Sequence, residues 1–114
     1  METEILTKFK QAQKEGWSHF GPVEALTTPS AARLVSFAGI RSGQAVLDVA
    51  CGTGVVAVTA AQRGANVTGA DLTPELLERA RENSQIAGVQ IDWREADVEA
   101  LPFANDQFDI VLSQ

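Results

Sequence analysis

The sequence of 114 residues holds a single cysteine, Cys51, and a single histidine, His19. One thiol excludes an internal disulfide and a multi-cysteine metal site, and it makes a cytoplasmic setting the expectation. No apolar run approaches the ~20 residues needed to span a bilayer. The opening segment METEILTKFKQAQKEG is polar and helical in pattern, so it is no secretory signal. Internal repeats and low-complexity segments are missing as well. Positive charge is scarce in the later part of the chain. Residues 1–44 carry five Lys/Arg and four Glu, whereas residues 45–114 carry four Arg against eleven Asp/Glu, giving −6 for the whole chain. That acidic half is a poor surface for DNA, RNA or anionic lipid and suits a cationic or neutral ligand.

What is present is enough for one domain. A hydrophobic fraction of 45% supports a real core. Ile5, Leu6, Phe9 and Ala12 fall on one helical stripe within residues 2–15, with Gly16 as the stop. Residues 17–27 read as a loop. Thr28 caps a second helix with Pro29 at its first position, and Leu34, Val35, Phe37 and Ala38 form its apolar face up to Gly39. From residue 45 the pattern alternates. Strands are expected at 45–50, 66–70, 90–94 and 108–112. Helices are expected at 53–63 (ended by Gly64) and from the Thr73-Pro74 cap to Gly88, with a short helix or turn at 98–103. Such alternation predicts right-handed crossovers and a parallel sheet.

The most informative stretch is VLDVACGTG, residues 46–54. An apolar strand carries one acid, Asp48, and runs into a turn with Gly52 and Gly54. Glycines let a backbone approach a ligand, and the helix N-terminus that follows offers free N–H groups. Gly52-Thr-Gly54-Val-Val-Ala57 fits the G-x-G-x-x-G/A dinucleotide fingerprint, with Asp71 at the second strand end as a ribose acid. To that point NAD and S-adenosylmethionine fit equally. Asp48 separates them. It lies where a dinucleotide places its pyrophosphate, and like charges in a poorly solvated loop repel. No Lys or Arg occurs between Leu47 and Gln62 to offset a phosphate. S-adenosylmethionine carries an ammonium and a sulfonium instead. Asp97, at the third strand end, can accept from an adenine amine, with Val98 against the ring. The plainer roles are loop bracing for Asp48 and capping of a short helix for Asp97.

These motifs resemble the class I S-adenosylmethionine-dependent methyltransferases, in the branch that includes quinone-biosynthesis and related small-molecule enzymes. VLDVACGTG is similar to their first motif, GADLTPELLERAR to the segment with the ribose acid, and READVEALPFANDQFDIVLSQ to the adenine stretch and next strand. Ala50 stands where the family commonly has its first glycine. The resemblance implies a Rossmann-like α/β fold with strand order 3-2-1-4 and flanking helices. It implies S-adenosyl-L-methionine as cofactor, held by Asp48, Ala50, Cys51, Gly52, Thr53, Gly54, Asp71, Leu72, Asp97, Val98 and Ser113. Residues 1–44 would form a helical lid with Trp17, His19 and Phe20 as its candidates, and residues 45–114 the cofactor-binding part. The family domain has three more strands, so the stop at Gln114 predicts a truncated domain of low activity. No catalytic base is evident and no metal is expected. Cys51 reads as a buried packing thiol, and Trp93 as core or lid packing. The partners expected are a small-molecule acceptor and a second copy joined at the fourth-strand edge. The alternatives are an NAD(P)-binding oxidoreductase domain and a non-catalytic, self-associating half-domain.

Overall fold

A computed structural model describes residues 2–19 and 25–114. The elements are α1 (Glu2–Trp17), α2 (Thr28–Ala38), β1 (Ala45–Val49), α3 (Val55–Gln62), β2 (Asn66–Asp71), α4 (Pro74–Ala87), β3 (Asp92–Glu95) and β4 (Ile110–Leu112), with a 3₁₀ turn at Val98–Ala100. The four strands are parallel in the order β3-β2-β1-β4, as the family resemblance implied. The order reverses beside β1, whose neighbours are β2 on one side and β4 on the other. In open α/β sheets the crevice for a ligand opens at the carboxyl ends of the strands at such a reversal.

Strand alternation divides the core. Val46 and Val67 join Ala31, Val35, Val56, Ala57 and Ala60 beneath α2 and α3. Leu47, Val49 and Ala70 face the other way, covered by Ala96, Leu101, Phe103 and Phe108. The rings of Phe103 and Phe108 meet edge to face at 5.2 Å, a favoured aromatic geometry.

Several local expectations shift. Gly16 does not stop α1, which continues to Trp17. A helical glycine costs only about 1 kcal/mol relative to alanine, too little to end a helix by itself. Ile5, Leu6 and Phe9 are exposed rather than packed. In α2 the capping position is Thr27, not Thr28, because residues 25–27 already form a 3₁₀ turn. Its buried residues are Ala31 and Val35, while Phe37 is 90% exposed. The helix packs against α3 and the core through Ala31 and Val35, and Phe37 lies off that stripe. The third strand starts at Asp92, because the chain first closes α4 with Val89 N–H on the Ser84 carbonyl. The fourth begins at Ile110, and the 98–103 segment holds only one 3₁₀ turn. Phe20 lies outside the described residues.

Candidate functional site

Asp48 leaves β1 on the α2/α3 side and is 1% exposed. The Ala57 backbone N–H, an otherwise free donor in the first turn of α3, supports one carboxylate oxygen. The other oxygen, Oδ2, is buried with no hydrogen-bond partner. Burial pushes the carboxyl up to about 7, the Ala57 N–H opposes that, and the Asp71 charge adds to it. The Ala57 N–H thus faces one side of the carboxylate and leaves Oδ2 without a partner.

The loop after β1 is tightly turned. Ala50 has φ 54° and Gly52 φ 57°. An L-residue in this left-handed region costs roughly 1–2 kcal/mol, which gives a physical reason for glycine in the family's pattern at the Ala50 position. Cys51 N–H donates to the Ala70 carbonyl at 3.0 Å, and Gly54 N–H to the Cys51 carbonyl at 2.9 Å. The Cys51 thiol is buried, and burial beside Asp48 and Asp71 pushes its pKa up, so it stays protonated. Thr53 is 2% exposed, and its carbonyl accepts from Asn83 Nδ2 at 3.0 Å. Gly54 faces inward: its missing Cβ makes room for the Trp93 indole. Gly52 has open space where a side chain would stand and is the glycine a ligand can approach.

Asp71 closes the loop from the β2 end. Its Oδ2 accepts from Gly52 N–H and its Oδ1 from Thr73 N–H, both at 2.8 Å. Ser113, after β4, donates to the Val49 carbonyl at 3.0 Å. Asp97 Oδ1 accepts from Glu99 N–H at 3.0 Å and so caps the 3₁₀ turn. Its Oδ2 takes the Lys10 ammonium at 2.5 Å, and the same ammonium reaches Glu99 Oε2 at 2.7 Å. Lys14 reaches Glu95 at 3.3 Å. The Lys10 ammonium and the Glu99 N–H hold the Asp97 carboxyl below the usual carboxylate range. These lysines were not singled out from sequence. Their spacing, i and i+4 on α1 opposite an acidic strand end, was the signal available.

Two cavities open at the carboxyl ends of the strands. One, of about 310 Å³, is bounded by Gln13, Lys14, Trp17, Val49, Ala50, Ala70, Asp71, Leu72, Thr73, Leu76, Ala96, Asp97, Val98, Leu101 and Gln114. The other, of about 270 Å³, is bounded by Trp17, Thr27, Asp48, Ala50, Cys51, Gly52, Thr53, Val55, Val56 and Gln114. Asp71, Leu72, Asp97 and Val98 thus meet in one chamber, and Asp48 with the glycine loop in the next. Gly54, Ser113 and His19 line neither. Among the described residues no His/Cys/Asp/Glu group could hold a metal ion, and no helix is long and apolar enough to cross a membrane.

Residues 46–114 match the model of the methyltransferase domain family. The chain belongs to that family. S-adenosyl-L-methionine is the cofactor that membership implies. An uncharacterized protein of Mycobacterium tuberculosis is 54% identical over 90 residues, covering 79% of this chain and 33% of its own length. A ubiquinone biosynthesis O-methyltransferase of Xanthomonas euvesicatoria is 41% identical over 98 residues, covering 84% of this chain and 41% of its own length. This methyltransferase-family chain therefore spans well under half of those relatives. An RNA methyltransferase from Salinibacter ruber, solved with S-adenosyl-L-homocysteine, superposes with TM-score 0.68 at 25% identity, over 75% of this chain and 56% of that one. The nicotinamide alternative gains no support from these matches.

Proposed function

We propose that the chain forms the S-adenosyl-L-methionine cradle of a cytoplasmic methyltransferase acting on a small-molecule acceptor. The observation that carries this reading is Asp48 Oδ2, buried without a partner beside the glycine loop. A buried carboxylate oxygen without a hydrogen bond is costly. A cationic ammonium, directly or through water, satisfies it, whereas a pyrophosphate aggravates it.

Gly52, Thr53, Ala50 and Cys51 then border the amino-acid part of the cofactor, with Gly54 and Ser113 shaping the loop and strand end from behind. Asp71 spends two lone pairs on backbone N–H groups, and a carboxylate has about four. The remaining two accept from ribose hydroxyls, with Leu72 alongside. Asp97 and Val98 border the adenine, and residues 1–44 supply the lid. When bound, the cofactor supplies a methyl group on an electrophilic sulfonium carbon. The chain's own contribution is orientation and exclusion of water. Because the chain covers 33% and 41% of two curated relatives, turnover by the 114 residues alone is expected to be low.

Equilibrium dialysis against S-adenosylhomocysteine and NADH tests the reading. Binding of the former without the latter is expected, and tight NADH binding alone overturns it. The small-molecule acceptor is supported by the ubiquinone-pathway relative and by the acidic surface. Methylation of RNA by the full-length protein would overturn that part. A second reading, self-association, is favoured by β4, which pairs with β1 on one edge only and leaves Val111 60% exposed. A monomeric sedimentation profile with a cooperative melt would exclude it.

A further inference from the structure

The two cavities share three residues, Trp17, Ala50 and Gln114. We infer that Trp17 is a specificity-determining residue whose indole face recognises the sulfonium charge of the cofactor at this shared boundary. The inference rests on the cofactor reading above and adds a residue to it. The cofactor is an adenosine and an amino acid joined through a positively charged sulfur. Asp71 and Asp97 line the adenosine-suited chamber, and Asp48 with Gly52 lines the amino-acid chamber. The sulfur joining the two halves therefore falls where the chambers meet.

The boundary has no anionic side chain. Ala50 is aliphatic, and the Gln114 amide donates to the Thr27 carbonyl at 3.1 Å and to the Ser30 hydroxyl. Trp17 is the one aromatic face of the three, and tryptophan attracts a cation over its face better than tyrosine or phenylalanine. It shares a helix face with the ion-paired lysines of α1. Lys10, Lys14 and Trp17 follow at i, i+4 and i+7, one face of the helix. The first two are fastened to Asp97, Glu99 and Glu95. Trp17 thus favours the charged substrate form of the cofactor over its neutral thioether product and assists product release.

The test is the affinity of the 114-residue chain for S-adenosylmethionine and S-adenosylhomocysteine, measured by equilibrium dialysis for wild type, Trp17→Leu and Trp17→Phe. Trp17→Leu is expected to weaken S-adenosylmethionine about 3- to 30-fold while leaving S-adenosylhomocysteine within about two-fold. Trp17→Phe, the more conservative change, lowers the ratio by a smaller factor and carries the test if the leucine variant does not melt cooperatively. Equal losses for both ligands, or no change in either, overturn the role of Trp17 while the cofactor reading stands. A wild-type chain that binds neither ligand overturns both.

Discussion

A Cβ placed on Gly54 would stand 2.5 Å from Cη2 of Trp93 and 3.2 Å from the Ala80 Cβ. Gly69, on β2, meets the same indole, with a Cβ there 2.5 Å from Cε3. The two glycines form a slot for the ring, whose Nε1 donates to Ser84 Oγ at 3.4 Å. The last glycine of the cofactor-type motif therefore serves packing between the loop, α4 and β3. Gly54→Ala is expected to cost on the order of 2 kcal/mol, from overpacking together with φ 85°. Urea unfolding measures it. The cost should shrink in a Trp93→Leu background, and strict additivity would contradict the slot.

Asp48 gives a pH prediction. Between its ordinary value of 3.8 and about 7, the folded chain keeps a proton that the unfolded chain has released. The contribution of this group to stability therefore falls as pH rises across that window. Asp48→Asn stays neutral throughout, so the urea midpoint of the variant should fall less steeply than that of wild type between pH 4 and pH 7. A cationic ligand favours the ionised carboxylate, so binding near pH 7 should release a proton in wild type and none from this site in the variant. Calorimetry in buffers of different ionisation heat reads that difference.

Asp71 holds Gly52 and Thr73 through their backbone N–H groups. Removing the carboxylate leaves two donors without their charged acceptor. Asp71→Ala should cost about 2–3 kcal/mol of stability, in addition to any loss of cofactor affinity. Hydrogen exchange should place the loosening at residues 51–54 and at Leu72 and Thr73. A variant as stable as wild type would show that the brace is dispensable.

Lys10 fastens α1 to Asp97 and Glu99 from 87 and 89 residues away in sequence. These pairs are partly exposed, so salt should weaken them. In Lys10→Met the amides of α1 should exchange faster while those of β1 and β2 are unchanged. The depressed carboxyl of Asp97 keeps the contact intact above the usual carboxylate range and releases it as pH falls through its lowered value. Protease susceptibility of α1 at rising salt and at acid pH reads both effects.

Elements whose signals are local were readable from the residues. Gly39 and Gly88 take left-handed backbone after α2 and α4, Pro29 and Pro74 sit in the first turns, and the strand–helix alternation led to the parallel sheet, whose strand order the family resemblance implied. Gly16 carried the same local signal without the outcome, because a single helical glycine is a weak penalty. The apolar periodicity of α2 marked Phe37 as core, yet Ala31 and Val35 are its buried residues, with Leu34 and Ala38 packed beside them, and Phe37 stays exposed.

By itself, the sequence determined the alternation, the parallel sheet and the presence of three acids at three strand ends, since each depends on residue type and short-range spacing. Only the tertiary structure decided what those acids face. Asp48 is half-satisfied by Ala57, Asp71 braces Gly52 and Thr73, and Asp97 meets Lys10. It also turned Gly54 toward Trp93 and set Trp17 between the two cavities. Most of these relationships join groups from different elements, and their geometry depends on how helices settle on the sheet. Side-chain burial and unpaired polar atoms arise only after that packing, so no pattern along the chain encodes them directly.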